Sequence, residues 1–455
     1  MNWQIRQKTP SARLLKSEIF QNAFTFHENA QVEHRPEEAS PLADRLTNVY
    51  ADLDGTPHVV GRLYAHNNKG KETASFEYEG EWLANPLRYA LEPALSLGAG
   101  QYYTARKLFG SLGDSAPDRW GRTLMKRAEA RRAEAEKSKA RTLYEMDYLL
   151  MVNDETRQGA LRFSNERGSP FLAHAGAPVP PLITLPKLLS ATNALLEDAE
   201  TAAELKLLLA PGSSLGGARP KASVREKDDQ LAIAKFPKKD DDYSAVEWEF
   251  VALTLARQAG IVVPDFRMET IAGRAVLILR RFDRHGAVRV PFLSAMSMIG
   301  AGDNEPHSYL ELMDALRQYG AAPTVDGIEL WRRIVFSILI SNTDDHLRNH
   351  GFLLEGQQGW RLSPVYDVNP VPVEVKERIL TTAIDDEDAT ASIDLALSVA
   401  DHFGLKQKEA RRIAAEVGNS VIKWRDIAAG AGISKAEISR MASAFEHTDL
   451  EQSVA

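Results

Sequence analysis

The first third of the chain alternates short runs of β-forming residues with turn signals. Residues 59–64 and 75–78 are rich in β-branched and aromatic side chains and flank the turn-prone segment 67–70, which predicts a β-hairpin. The polar stretch 118–137 carries mixed charges, which predicts a helix with a solvated face; a basic face that docks a substrate is the less favoured alternative. Residues 1–45 show weak periodicity, and we expect an extension there.

The pattern changes at a Pro- and Gly-rich connector, residues 174–184, which predicts a domain boundary. After residue 205 the order is a glycine-containing loop, a strand, a helix, further strands and then mostly helices. This order predicts an α+β fold in which a β-rich part precedes a mainly helical one.

The composition is that of a globular protein with enough apolar material for a large core. Of 455 residues, 44% are hydrophobic and 26% are charged. The absence of cysteine excludes disulfides, zinc–thiolate sites and a cysteine nucleophile. The net charge of −8 argues against a protein that envelops nucleic acid. Because there is neither a secretory leader nor an apolar run of membrane-spanning length, we expect a cytoplasmic protein that binds no membrane.

The strongest chemical signal is an ordered set of acidic and amide residues near the end of an apolar helix, residues 328–340. Asp344 and Asn349 have the D-x-x-x-x-N spacing of a kinase catalytic loop, in which the Asp orients the hydroxyl proton and the Asn holds a Mg²⁺. A predicted hairpin at 351–363 follows, and Asp367 comes directly after it as the second metal ligand. Oxygen donors of this kind suit Mg²⁺.

Two other residues of the loop receive lesser roles. Asp345 is one position out of phase, so we expect it to be supporting or solvent-facing. His346 is assigned to the ATP-binding set, and a hydrogen bond that orders the loop is favoured over metal ligation. Taken singly, Asp344, Asn349 and Asp367 are common turn and cap residues; only their order favours phosphotransfer.

A second signal is the glycine loop at residues 211–221. Gly216 and Gly217 allow backbone amides to approach phosphate oxygens, and Lys221 adds positive charge. The spacing is not that of a Walker A loop. A plain glycine turn is the alternative.

A third signal is a lysine at the end of an apolar strand. Residues 230–236 alternate so that Lys235 shares a face with apolar side chains, which is costly without an anionic partner such as ATP phosphates. In the following helix, Ser244 and Glu247 have the capping-box spacing, so Glu247 is expected to be structural. Glu249 lies on the inward face and is the predicted ion-pair partner of Lys235.

A fourth signal is the apolar strand at 276–283, which is typical of a hinge that reads adenine through its backbone. Phe282 is predicted to pack on the base. A core strand with a buried phenylalanine is an equal alternative.

Taken together, these motifs resemble the HipA toxin kinases over about residues 55–450. The matching segments, in chain order, are S-F-E-Y at 75–78, D-S-A-P-D-R-W-G-R at 114–122, D-E-T-R at 154–157, the serine-containing glycine loop at 213–221, R-F-D-R at 281–284, N-T-D-x-H-x-x-N at 342–349 and Y-D-V at 366–368.

The resemblance implies a two-lobed protein-kinase-like (HipA-like) fold with a β-rich N-terminal subdomain and a mainly helical C-terminal lobe. It implies a serine/threonine protein kinase that uses ATP and Mg²⁺, with Arg281 in the ATP-binding set and autophosphorylation at Ser214, itself in that set. Substrates in the family include aminoacyl-tRNA synthetases. The implied partner is a HipB-like helix-turn-helix antitoxin, and DNA is bound only indirectly through it.

The expected domains are an extension (1–45), a HipA-like N-terminal subdomain (46–180), an ATP-binding N-lobe (181–285) and a helical catalytic C-lobe (286–455). Two alternatives remain open. One is a phosphotransferase of kinase-like fold that acts on small molecules. The other is a non-catalytic corepressor bound to DNA with an antitoxin, since residues 427–440 resemble a helix-turn-helix.

Overall fold

The computed structural model describes residues 45–455, apart from residues 69, 175–177, 213–216, 239–240, 242 and 304. The extension predicted for residues 1–45 therefore lies outside the described residues, except for Arg45.

An antiparallel sheet dominates the N-terminal part. Its strands are β1 (Arg45–Leu53), β2 (Thr56–Asn68), β3 (Lys71–Tyr78), β4 (Gln101–Tyr103) and β5 (Leu161–Ser164). The helices of this part are α1 (Gly80–Ala84), α2 (Gly110–Gly113), α3 (Arg119–Ala135) and α4 (Glu145–Met151). The strand order is β4-β3-β2-β1-β5. The antiparallel pairing of β2 with β3 confirms the predicted hairpin.

Helix α3 confirms the helix predicted from the polar stretch, but it is not solvated on every side. Its N-terminal half buries Trp120 and Leu124 in the apolar core of a second antiparallel sheet, which comes later in the chain. Helix α3 therefore packs on the part of the chain that carries the glycine loop.

A second antiparallel sheet follows, with strand order β6-β7-β9-β8. This part contains α5 (Leu185–Leu196), α6 (Ala202–Gly212), β6 (Lys221–Arg225), β7 (Leu231–Lys235), α7 (Ala245–Gln258), β8 (Phe266–Ile271) and β9 (Arg274–Arg280). Strands β7 and β9 are nearly continuous apolar runs because helices cover the sheet, whereas β6 is mostly buried but carries Lys221, Ser223 and Arg225.

The C-terminal part is mainly helical. Its strands are β10 (Arg284–His285), β11 (Val288–Arg289), β12 (Phe292–Ser294), β13 (Gly351–Leu354) and β14 (Trp360–Leu362). Its helices are α8 (Ala295–Met298), α9 (Tyr309–Tyr319), α10 (Pro323–Leu339), α11 (Ile393–Ser398), α12 (Gln407–Val421), α13 (Trp424–Gly430), α14 (Lys435–Arg440), α15 (Ala442–Phe445) and α16 (Thr448–Val454). The predicted hairpin is confirmed as β13–β14. The fold is α+β, β-rich first and helical last, as predicted.

The capping box predicted for α7 is wrong. The Ser244 side chain does not cap the helix. Instead, the backbone N–H of Ser244 donates to Glu437 Oε1 at 2.8 Å, and Trp248 Nε1 donates to the same oxygen at 2.9 Å. A carboxylate from α14 thus replaces the local cap. Because Glu437 is used in this way, the helix-turn-helix-like segment packs against α7, which supports a structural role for it.

Within the part of the chain that the structure describes, none of the helices combines the length and apolarity that a membrane span requires.

Candidate active site

The predicted catalytic loop begins where α10 ends. The chain leaves this helix through Ser341, which is buried and has a φ of 52°. The Ser341 hydroxyl donates to the carbonyl of Ala444 at 2.8 Å, and Asn342 Oδ1 accepts the N–H of Asn369 at 3.2 Å. The loop is therefore tied both to the C-terminal helices and to the segment after β14.

A turn joins Asp344 to Asn349. Asn349 Nδ2 and the backbone N–H of His346 each donate to the Asp344 carbonyl oxygen, both at 3.0 Å. The Asp344 residue itself is exposed. Because the amide nitrogen of Asn349 is used within the turn, its side-chain oxygen is the atom suited to a cation.

The neighbouring loop residues take separate positions. Asp345 is buried, and its Oδ1 lies 2.7 Å from Nε2 of His350, so it supports the loop from inside. His346 is half-buried, and its Nδ1 has no hydrogen-bond partner among the described residues. Its proximity helps to lower the pKa of Asp367, which places the His346 side chain near the predicted metal ligand, while its backbone N–H supplies the hydrogen bond within the turn.

Strand β7 and helix α7 bring the predicted ion pair together. Lys235 ends β7, and its Nζ lies 2.5 Å from Oε1 of Glu249 on the buried side of α7. The predicted pair is therefore present. The same ammonium also contacts Oδ1 of Asp367, so Lys235 lies between two carboxylates.

The pKa values of Lys235 and Asp367 are each set by the opposite charges beside them. Burial alone would lower the pKa of Lys235, but Asp367 and Glu249 raise it above its ordinary value. Burial would likewise raise the pKa of Asp367, but Lys235 and Lys221 hold it at about 2. Asp367 also has a φ of 53°, an uncommon backbone conformation for a residue other than glycine. Perturbed groups in such positions are typical of functional sites.

Two lysines lie directly opposite each other in the second sheet. Lys221 pairs with Lys235 in the β6–β7 ladder, and the two residues are only 3% and 8% exposed. Like charges in this position repel, and burial lowers the pKa of Lys221 against the opposing attraction of Asp367 and Asp118. A bound polyanion would relieve the repulsion.

Gly217, at the described end of the glycine loop, lies close to these groups. Gly217 has a φ of +92°, and a Cβ built on it would lie 2.7 Å from Nζ of Lys221 and 3.6 Å from Oδ2 of Asp367. Glycine is needed here for both backbone conformation and space. The other predicted members of this loop, Ser214 and Gly216, lie outside the described residues.

Sequence reasoning missed a third carboxylate, Asp118. Its Oδ1 accepts the Gly121 N–H at 3.0 Å and caps α3, while its Oδ2 lies 3.6 Å from Nζ of Lys221. Burial raises the pKa of Asp118 to about 6, against the opposing effect of Lys221. The only sequence signal for a role of Asp118 was the resemblance of segment 114–122 to the HipA toxin kinases. We call the following residues the charged cluster: Asp118, Lys221, Lys235, Glu249 and Asp367.

Arg281 is not brought into the charged cluster. Its buried guanidinium donates to Asp283 Oδ1 at 2.8 Å and to the carbonyl oxygens of Thr156 and Arg157 at 2.5 and 3.3 Å. These bonds join the core to the N-terminal part, because the partners lie on the chain that leads into β5. The prediction that Arg281 binds ATP finds no support in these contacts.

Phe282 contacts the residue that precedes Asp367 in the charged cluster. It is half-buried, and its ring centroid is 5.7 Å from that of Tyr366, the residue before Asp367. A ring in this position is available to an adenine base that enters beside β9.

A lysine–glutamate pair on a strand and a helix, a D-x-x-x-x-N loop, and an aspartate beyond a short hairpin together define the protein-kinase-like class of folds and sites. Comparison with known protein families gives a match within this class. Residues 213–424 match the family model of the HipA-like C-terminal domain. This part of the chain is therefore similar to HipA-like C-terminal domains, the family that the motifs indicated.

Curated relatives match shorter stretches of the chain. A candidate kinase of Haemophilus influenzae is 25% identical over 189 residues, which are 35% of this chain and 54% of the relative. The candidate kinase Y4dM of Sinorhizobium fredii is 31% identical over 152 residues, which are 30% of this chain and 36% of the relative. The chain thus spans about half or less of the length of these relatives.

A solved structure matches the fold more completely. A chain from the complex of HipA, HipB and operator DNA of the Shewanella oneidensis MR-1 toxin–antitoxin system aligns with a TM-score of 0.60. The alignment covers 90% of this chain and 96% of that chain at 16% identity. At this identity the likeness concerns the fold.

Proposed function

We propose that this protein is a Mg-ATP-dependent serine/threonine protein kinase and the toxin of a type II toxin–antitoxin module. The observation that carries the proposal is the charged cluster. Two buried lysines lie opposite each other beside Asp367, and the segment of Asp367 is bonded to the loop of Asp344 and Asn349. Such a cluster suits a triphosphate next to a group that orients a hydroxyl.

The nucleotide is held mainly through its phosphates. Lys221 and Lys235 supply positive charge, and the backbone at Gly217 approaches the same place. Asp367 and the side-chain oxygen of Asn349 are hard oxygen donors that fit Mg²⁺. When bound, Mg²⁺ neutralises charge on the phosphate oxygens. Phe282 contacts the base.

The transfer step uses Asp344. The substrate hydroxyl oxygen forms a bond to the γ-phosphorus while the bond from that phosphorus to the β,γ-bridging oxygen breaks. The Asp344 carboxylate accepts the hydroxyl proton, and ADP leaves with the bridging oxygen. The exposure of Asp344 allows a protein side chain to reach it.

Labelled ATP and whole-cell lysate test the activity. We expect the protein to label a small number of proteins on serine or threonine, and an aminoacyl-tRNA synthetase is one candidate substrate. The Asp344→Asn variant is the control and should label none. Labelling of an aminoglycoside or another small molecule instead of protein would favour the rival phosphotransferase.

Ser214 is the proposed site of autophosphorylation. Phosphate would add about −1.5 to −2 charge to the glycine loop and would oppose the binding of a negatively charged nucleotide. A phosphopeptide map should show Ser214 modified in the active protein and unmodified in Asp344→Asn. Equal phosphate in both proteins would contradict self-modification.

The proposed partner is a HipB-like helix-turn-helix antitoxin, supported by the likeness of fold to the Shewanella complex. Co-expression of this chain with such an antitoxin should give a complex that binds operator DNA in a salt-dependent way. This chain alone should bind DNA weakly. Tight DNA binding by the isolated chain would favour the corepressor alternative.

A further inference from the structure

We propose that Asp118 is a positioning residue for the nucleotide phosphates and acts through Lys221, so that helix α3 of the N-terminal part completes the ATP site. The inference rests on the proposed function, because it assigns a role to Asp118 within the same site.

Helix α3 holds Lys221 at two points. The indole Nε1 of Trp120 donates to the Lys221 carbonyl oxygen at 2.9 Å, which fixes the backbone at the start of β6. Asp118 lies two positions earlier, and its Oδ2 is 3.6 Å from Nζ of the same lysine. The backbone and the charge of Lys221 are thus both set by the N-terminal end of α3.

The carboxylate of Asp118 is not saturated. Its Oδ1 is used by the helix cap, but Oδ2 is buried and has no hydrogen-bond partner among the described residues. A buried oxygen left in this state is costly. A cap alone does not require it, because an Asn or Ser cap would satisfy α3 without a second charged oxygen. A buried oxygen without a hydrogen bond, held 3.6 Å from the ammonium of Lys221, therefore points to a role beyond the helix cap.

That role follows from the charges around Lys221. Asp367 and Asp118 attract the ammonium of Lys221, and Lys235 repels it from the opposite position in the ladder. In the proposed mechanism Asp367 is committed to Mg²⁺. Asp118 is then the carboxylate that holds the Lys221 ammonium in place for the phosphates in the loaded site.

Asp118→Asn isolates this charge, because asparagine caps a helix about as well as aspartate. We expect the KM for ATP and the dissociation constant of Mg-ATP to rise roughly three- to tenfold, with little change in kcat. The dissociation constant of adenosine, which has no phosphates, should stay unchanged. Glu134→Gln is the matched control, since it removes a highly exposed carboxylate from the same helix.

A double-mutant cycle with Lys221→Met tests the route of the effect. If Asp118 acts through Lys221, the double variant binds Mg-ATP no more weakly than Lys221→Met alone. Additive losses would overturn the inference, as would wild-type affinity in a folded Asp118→Asn protein. Equal weakening of ATP and adenosine would mean a general loss of structure and would also overturn it. Failure of the wild-type protein to bind Mg-ATP would instead refute the proposed kinase activity.

Discussion

Two adjacent aspartates show how strongly position determines chemistry at the scale of single residues. Asp344 is exposed at the surface of its loop. Asp345 is only 3% exposed, and its carboxylate faces His350. Both side chains end in a carboxylate, but that of Asp344 is accessible to a substrate hydroxyl, whereas that of Asp345 supports the loop.

Neutralising each aspartate in turn separates these roles. Asp344→Asn should lower the rate of phosphoryl transfer by about 10² to 10⁴, with little change in Mg-ATP affinity or melting temperature. Asp345→Asn should instead lower the free energy of unfolding by about 1–3 kcal/mol, because His350 loses a buried charged partner. Kinetics and thermal melts measure both. A fully active Asp344→Asn protein would remove Asp344 from the mechanism.

A buried glutamate outside the charged cluster, Glu92, predicts that the stability of the protein depends on pH. Burial raises the pKa of Glu92 from 4.5 to about 7, against the hydrogen bond from the Ser111 N–H. Between these pH values the folded protein retains a proton that the unfolded chain has lost. The free energy of unfolding therefore falls as pH rises through this window.

Glu92→Gln should abolish this fall, since glutamine has no proton to lose. We expect the stability of the variant relative to the wild type to increase from pH 5 to pH 8 by on the order of 3 kcal/mol. Urea denaturation at several pH values measures it. The exposed Glu81→Gln serves as control, and a Glu92→Gln profile parallel to the wild type would mean that Glu92 does not govern this window.

At the scale of elements, the segment that follows Asp367 acts as a brace for the catalytic loop. Lys376 Nζ and Thr381 Oγ donate to the Thr343 carbonyl at 2.6 and 2.9 Å. Thr382 Oγ donates to the Asp345 carbonyl at 2.7 Å. Three side chains from one segment thus hold the loop on both sides of Asp344.

Thr382→Val removes one of these bonds with little change in shape. The Asp345 carbonyl would lose its partner, so we expect a loss of about 1–3 kcal/mol in unfolding free energy and a lower kcat at unchanged KM for ATP. Thr192→Val is the control: Thr192 is buried, and its hydroxyl has no hydrogen-bond partner among the described residues. That change should be neutral or stabilising. Equal effects of the two changes would argue against the brace.

At the scale of the whole molecule, a buried ionic network joins the first sheet to the core. Asp283 accepts the Gly159 N–H at 2.8 Å, and Arg284 donates to the Gly159 carbonyl at 2.9 Å. Arg281 adds the bonds to the carbonyls of residues 156 and 157. This network and the packing of α3 on the second sheet make the N-terminal part integral to the site.

Arg281→Lys tests whether this arginine is structural. Lysine cannot reproduce the planar fork that bonds Asp283 and two carbonyls, so we expect a clear drop in melting temperature and unchanged Mg-ATP affinity in the folded fraction. Arg280→Lys is the matched control, because the Arg280 side chain forms a surface ion pair with Asp228 at 2.6 Å. A selective loss of ATP affinity in Arg281→Lys would restore the role first predicted for it.

Features set by local spacing could be predicted from the sequence. The two hairpins, helix α3 and the pairing of Lys235 with Glu249 are all present as the patterns indicated. Each depends on alternation, turn residues or helical periodicity within a short stretch, because the period of an element determines which face is buried. The assignment of Asp344, Asn349 and Asp367 depends on the same kind of spacing, and it stays a prediction until variants are assayed.

Tertiary structure alone decided the contacts between distant segments. Asp118 meets Lys221, Glu437 replaces the cap predicted for Ser244, and Arg281 turns toward the N-terminal part. In each case a local pattern left a polar group without a determined partner, and a buried polar group must find one wherever the folded chain supplies it. The sequence by itself determined which residues carry charge and which elements hold them. The packing of α3 on the second sheet, and of α14 on α7, decided which of these charged and polar groups meet.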